Sequence, residues 1–170
     1  MDIQAFKHFI IPVQGKLYRL AKTMLNNPEE AEDAVQEVLL KLWTRRGMLD
    51  NYRSIEALAM IITKNLCLDK LKSHHHQKTM GMDGKEAHTD TGTPYHITEL
   101  SDSVNMIHRL LGQLPEQQRL IMHLRDIEEY SYEEIEKITG MCVNNIRVTL
   151  SRARKSVREN FKKLNNYEAG

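Results

Sequence analysis

The sequence predicts an all-α protein built as two small helical domains joined by a flexible linker. Three observations carry that expectation. Helix-forming residues dominate the 170-residue chain, and no β-branched run of period two bounded by turn residues occurs. Apolar residues recur at three- and four-residue spacing in one segment after another, as in helices that bury a single stripe. Residues 74–100 break the rhythm: they are rich in His, Gly, Thr and Asp and too poor in apolar side chains to order themselves around a core. They separate a domain of residues 1–73 from one of residues 101–170.

Taken in order, Phe6, Ile10, Val13, Leu17, Ala21 and Met24 draw one apolar stripe over about residues 3–25. Pro12 lies inside this segment and is expected to kink or restart the helix. Asn27-Pro28-Glu29-Glu30 is a helix start: Asn caps, Pro suits the first turn, and the acids suit the positive end of the helix dipole. The second helix, to about Arg46, puts Ala31, Ala34, Val35, Val38 and Leu42 on its core face and Asp33, Gln36, Glu37 and Lys41 on the other. Gly47 to Arg53 reads as a loop. A third helix, about Ile55 to Ser73, begins apolar and turns polar and basic. In the second domain, Val104, Ile107, Leu110, Leu111 and Leu114 predict a short amphipathic helix, and Pro115-Glu116 opens another with Leu120, Ile121 and Leu124 inside. Ser131-Tyr132-Glu133-Glu134 is a capping box that starts a short helix, which Gly140 stops. A last helix, about Val143 to Leu164, carries the stripe Val143, Ile146, Leu150, Ala153, Val157 and Phe161.

Composition narrows function by exclusion. With 41% hydrophobic and 28% charged residues the chain is globular rather than disordered. No window approaches eighteen consecutive apolar residues, and MDIQAFKHFIIPV has no basic stretch followed by a long apolar run. Neither membrane insertion nor a secretion signal is therefore expected, and the cytoplasm is the expected location. Cys67 and Cys142 have no CxxC partner, so each is expected to be a small buried residue rather than a zinc ligand or half of a disulfide. Five of the eight His residues fall in the 74–100 stretch with no Cys or carboxylate set at ligand spacing, so no metal and no cofactor are expected. The sequence has no nucleophile motif and no phosphate-binding Gly loop, so no enzyme is expected.

The net charge of +1 hides strong local asymmetry. Between 143 and 163 stand Arg147, Arg152, Arg154, Lys155, Arg158, Lys162 and Lys163 against the single acid Glu159. A solvated amphipathic helix could show the same face. Here, however, it follows a capped short helix and a Gly-containing turn, which is the layout of a helix-turn-helix whose second helix enters the major groove. Arg147, Ser151 and Arg154 fall at i, i+4 and i+7, away from the Ile146/Leu150/Ala153 stripe. Residues 29–37 carry the opposite sign, with five acids and no base; part of this complements the helix dipole.

Longer stretches carry a resemblance. AEDAVQEVLLKLW (31–43) resembles the core-polymerase-binding helix of the extracytoplasmic function (ECF) sigma factors of the sigma-70 family. KNLCLDKLK (64–72) resembles the later part of the same domain, usually Arg-Asn-x-x-x-Asp-x-x-Arg. LPEQQRLIMHLRDIEEYSYEEIEKITGM followed by VNNIRVTLSRARKSVRE resembles the family's fourth conserved region. The likeness covers about residues 5–72 and 101–160, in the family's order. It departs in two places. Glu136 stands where the first helix of the motif normally has Ala, and IEALAMII lacks the aromatic, often Trp, usual before the third helix's core.

The resemblance implies a sigma region 2 bundle followed by a sigma region 4 helix-turn-helix, acting with core RNA polymerase (clamp coiled coil and flap) on promoter DNA. It implies clamp contacts at Asp33, Gln36 and Glu37. It implies melting of the minus-10 element and capture of an unpaired base by the 47–53 loop and the following helix, with Tyr52, Arg53, Lys64, Asn65 and Lys72 as candidates. It implies minus-35 readout by Arg147, Val148, Ser151 and Arg152, with Arg125, Tyr132 and Glu133 supporting or touching the DNA backbone. An anti-sigma protein, often membrane-bound in this family, is a further implied partner. Two rivals are weighed beside it. A stand-alone helix-turn-helix regulator would bind its site without polymerase, and a helical adaptor would survive neutralisation of Arg147 and Arg152.

Overall fold

The computed structural model describes residues 1–80 and 100–168, and every regular element among them is helical. The chain divides into two compact units, one built on its N-terminal helices and one on its C-terminal helices. Most of the expected linker, residues 81–99, lies outside the described residues.

The first unit is a bundle of α1 (Ile3–Leu25), α2 (Pro28–Thr44) and α3 (Ile55–Thr79), each packed on the other two. Asp2 caps α1, its carboxylate accepting from the Ala5 amide at 2.8 Å. The helix does not restart at Pro12: α1 runs through it. Pro12 is exposed, so the backbone bond it removes lies where water can replace it. Asn26 takes the left-handed conformation (φ +52°) that ends α1, and the Asn27 side chain accepts from the Glu30 amide at 3.1 Å to start α2. This short link makes α1 and α2 neighbours, and Leu17, Leu20, Met24, Val38, Leu42 and Met60 close the core. An edge-on Phe6–Trp43 contact (5.1 Å between centroids), with the Arg46 guanidinium 4.1 Å from the Trp43 centroid, staples the start of α1 to the end of α2. A Lys16–Glu56 pair at 2.6 Å ties α1 to α3.

Two boundaries differ from expectation. The 47–53 loop is largely a 3-10 helix, Arg46–Asn51, anchored by buried Leu49. Residues 74–79, expected to be linker, continue α3. His74 meets Glu30 of α2 at 3.0 Å, and the Thr79 hydroxyl closes on the His75 carbonyl at 2.7 Å. Ser73 to Thr79 contains no Gly or Pro to stop a helix. Composition averaged it with the Gly-bearing residues that follow. Cys67 is buried as expected, and burial pushes its thiol pKa up to about 12, so it stays protonated.

The second unit comprises α4 (Leu100–Gly112), α5 (Glu116–Met122), a π turn (His123–Ile127), α6 (Tyr132–Thr139) and α7 (Val143–Glu168). α7 packs on α4 and α5 around Leu111, Leu114 and Ala153, flanked by Met122 and Val157. Ile121, Leu124, Ile135, Ile146 and Leu150 are buried. The predicted stripe of α4 is buried only at its C-terminal end; Val104 and Ile107 are exposed. Phe161 is likewise exposed, at 42%, on the end of α7. The π turn was not predicted. In it the Glu128 amide donates to the His123 carbonyl at 3.0 Å, and His123 Nε2 lies 3.4 Å from a Glu128 carboxylate oxygen, both side chains buried. Cys142 corrects a further expectation: it is exposed, because it precedes α7 and contributes only its carbonyl, which accepts from the Ile146 amide at 3.0 Å.

Candidate nucleic-acid and polymerase interfaces

The DNA-facing candidates gather on the helix-turn-helix of the second unit. Its first helix is set by a reciprocal cap. The Glu134 amide donates to the Ser131 hydroxyl at 3.1 Å and the Ser131 amide to the Glu134 carboxylate at 2.8 Å. Gly140, at φ +76°, ends α6 with its amide on the Glu136 carbonyl at 2.8 Å, and the chain turns directly into α7. Ile146, Leu150 and Ala153 point into the core, which leaves Arg147, Val148, Ser151 and Arg152 exposed together on the outward side of the first turns of α7. Glu136 is exposed, so the carboxylate that stands where the family has Ala turns to solvent.

Three neighbours frame this face. The Arg125 guanidinium donates to the Tyr130 carbonyl at 2.9 Å and lies 4.4 Å from the Tyr132 ring centroid. Arg147 lies 5.0 Å from the same ring. Glu133 is exposed beside them. Arg154 lies on the outward side as predicted, but it is committed to Asp126 of the π turn: its Nε donates at 3.0 Å and Nη2 donates to the second carboxylate oxygen. That hydrogen bond is the main cause that raises the pKa of Arg154, with desolvation opposing it. Periodicity could not reveal this, because Asp126 lies on another element.

In the first unit, Asp33, Gln36 and Glu37 are exposed on α2, with Glu37 3.7 Å from Lys41. Leu40 completes this i, i+3, i+4, i+7 face and is 64% exposed. Sequence reasoning passed over Leu40. The available signal was that Leu40 lies off the Val35/Val38/Leu42 stripe. An open groove beside this face is lined by Ile11, Gln14 and Tyr18 of α1 and by Glu32, Val35 and Gln36 of α2.

The minus-10 candidates are less gathered. Tyr52 lines a pocket of about 110 Å³ at the 3-10 helix together with Leu42, Arg45, Met48, Leu49, Leu58 and Ile62. Arg53 is exposed one residue on. Lys64 is half-buried on α3, and burial lowers its pKa; Asn65 and Lys72 are exposed farther along the same helix. None of these three lines the pocket, whereas Arg45 and Met48, not predicted, do. Among the described residues no group of His, Cys, Asp and Glu could hold a metal, and no helix is long and apolar enough to cross a membrane.

A two-unit helical chain with an exposed basic recognition helix defines a DNA-binding protein of the helix-turn-helix class. Comparison with known proteins makes this specific. Residues 10–77 match sigma-70 region 2 and residues 105–157 match sigma-70 region 4. The RNA polymerase sigma factor SigV of Bacillus subtilis (strain 168) is 30% identical over 148 residues, covering 83% of this chain and 81% of that protein. The ECF RNA polymerase sigma factor SigW of the same organism is 26% identical over 175 residues, covering 96% and 92%. In fold, the chain is similar to the sigma factor RpoE of Bartonella quintana solved with the anti-sigma factor NepR, with a TM-score of 0.75 at 23% identity over 94% of this chain and 98% of that one. The chain belongs to the sigma-70 family, among its ECF sigma factors, and is an alternative sigma factor that directs transcription initiation. The stand-alone regulator is not favoured, since the N-terminal half matches a sigma region in its own right.

Proposed function

We propose that the two units divide promoter recognition between them, the second reading the minus-35 element and the first binding core polymerase and opening the minus-10 element. The observation that carries this reading is the paired surface chemistry. A basic face on α7 is left outward by a capped, glycine-stopped helix-turn-helix, while an acidic face with one exposed leucine stands on α2 of a separate bundle. Arg147 and Arg152 donate to base edges and phosphates, Val148 and Ser151 complete the contact, and Arg125, Tyr132 and Glu133 support it. Asp33, Gln36 and Glu37 pair with basic residues on the clamp coiled coil, and Leu40 supplies an apolar anchor among them. The pocket at the 3-10 helix receives one unpaired base, with Tyr52 as a stacking surface and Arg45 and Arg53 near the strand; Lys64, Asn65 and Lys72 lie farther along α3.

The protein acts without catalysing a reaction, in the cytoplasm where polymerase works, and uses no cofactor. The polymerase flap is the partner of the second unit. An anti-sigma protein is a further partner, supported by solved relatives in fold that hold NepR and the cytosolic domain of CnrY. The test is run-off transcription with purified bacterial core polymerase on a genomic promoter library. Sequence-restricted transcripts are expected with the protein present, and their loss when Asp33, Gln36 and Glu37 are changed to Ala. DNA retained by the protein alone, with no transcripts, would overturn the reading.

A further inference from the structure

The helix-turn-helix contains a stack whose members come from three successive elements. Arg125 of the π turn is anchored by its bond to the Tyr130 carbonyl and lies over the Tyr132 ring. Tyr132 is the first residue of α6, directly after the capped Ser131, so its backbone is held by the reciprocal cap. Arg147 of α7 lies against the same ring at 5.0 Å. Among the described residues no carboxylate is within ion-pair distance of Arg147, whereas the nearby Arg154 is bound to Asp126 on two sides. Arg154 and Arg147 are thus held by different means, one by an acid and one by a ring.

The difference matters for recognition. An arginine that reads a base must present its planar fork in one orientation, and ordering a free arginine side chain on binding costs conformational entropy. A carboxylate would restrict the side chain but would occupy the very N–H donors the base needs. An aromatic ring restricts it through the cation–π contact and leaves all the donors available. We infer that Tyr132 is a positioning residue for minus-35 readout: its ring, itself locked by Arg125 and by the α6 cap, pre-sets Arg147 toward the groove. The inference rests on Arg147 being a base-reading residue. It assigns the function to the face of the ring and not to the hydroxyl.

The test is selection of minus-35 sequences from a promoter duplex library randomised at that element, using holoenzyme assembled with the full chain. Wild type, Tyr132→Phe, Tyr132→Leu and Arg147→Ala are compared, with thermal melts of each variant. Arg147→Ala identifies the base position that residue reads. Tyr132→Leu is expected to lose about two- to fivefold of the preference at that same position, the fold-change that matches an exposed cation–π contact, while Tyr132→Phe retains it. Side-chain NMR of Arg147 in the free protein gives an independent reading, useful if Tyr132→Leu melts early: ring-shifted resonances are expected in wild type and Tyr132→Phe. Three outcomes would overturn the inference: unaltered preference in a folded Tyr132→Leu protein, equal weakening on all sequences in Tyr132→Phe, or unshifted Arg147 resonances in wild type. If Arg147→Ala itself leaves the selected sequences unchanged, the base-reading role falls and the inference with it. If only the Tyr132 variants are silent, the base-reading role stands and the inference alone falls.

Discussion

Arg147 is the residue on which sequence discrimination is expected to concentrate, since a guanidinium fork matches the two acceptors of guanine in the major groove. Arg147→Ala is expected to cost about 1–3 kcal/mol on the preferred promoter and to relax preference at one position, as read by binding to single-base-pair variants. Its exposure was legible from the offset between Arg147 and the Ile146/Leu150/Ala153 stripe. Its stacking on Tyr132 was not, because no periodicity within one helix reports a contact with another. Glu129 illustrates the same limit. It sits at φ +60°, a left-handed conformation that costs a non-glycine residue about 1–2 kcal/mol, and nothing in its own type signals that. Glu129→Gly is expected to stabilise the second unit by about 0.5–1 kcal/mol, the relief of strain exceeding the added freedom of the unfolded chain; chemical denaturation measures it.

At the scale of elements, local chemistry predicted the helix starts well. Asn27 and Ser131 both cap as expected, because an N-cap is decided by residues within three positions of each other. Gly140 shows how a stop acts. A Cβ added there would meet nothing within 4 Å, so the cost of Gly140→Ala is purely that of the left-handed backbone. About 1 kcal/mol of destabilisation is expected in thermal melts, with a smaller loss for Gly140→Asn, whose side chain tolerates that region. Helix ends that depend on a partner were less legible. α3 continues to Thr79, where His74 finds Glu30 on α2, and the 47–53 segment winds into a 3-10 helix around Leu49. In both places a tertiary contact outweighed composition.

For the whole molecule, the near-neutral total charge conceals surfaces of opposite sign on separate units, and binding to unopened duplex is expected to depend on salt chiefly through the basic face of α7. The structure sorts its arginines. Arg152 is exposed, whereas Arg154 is bound to Asp126. Arg152→Gln is therefore expected to lower the slope of log affinity against log salt by about 0.9 on a duplex of unrelated sequence. Arg154→Gln is expected to leave the slope unchanged while costing up to about 1 kcal/mol of stability, as for a solvent-accessible pair. Equal slopes for the two variants, measured by fluorescence anisotropy, would refute this sorting.

The helical class, the division into two units, the caps, most of the core stripes and the outward side of α7 were legible along the chain, whereas Val104, Ile107 and Phe161 fell on predicted stripes and are exposed. Each legible feature depends on residues a few positions apart, within reach of one helical period or one hydrogen bond. Which charges remain available was settled by the packing of elements. Arg154 and Asp126 are 28 positions apart, and Arg147 meets Tyr132 across the turn. Packing also decided where partner-dependent segments stop, and that Arg45 and Met48 rather than Lys64 or Asn65 share the pocket with Tyr52. The physical reason is the same throughout: pairing and enclosure are properties of elements brought together by packing, and a periodic pattern along one element carries no record of what lies opposite it.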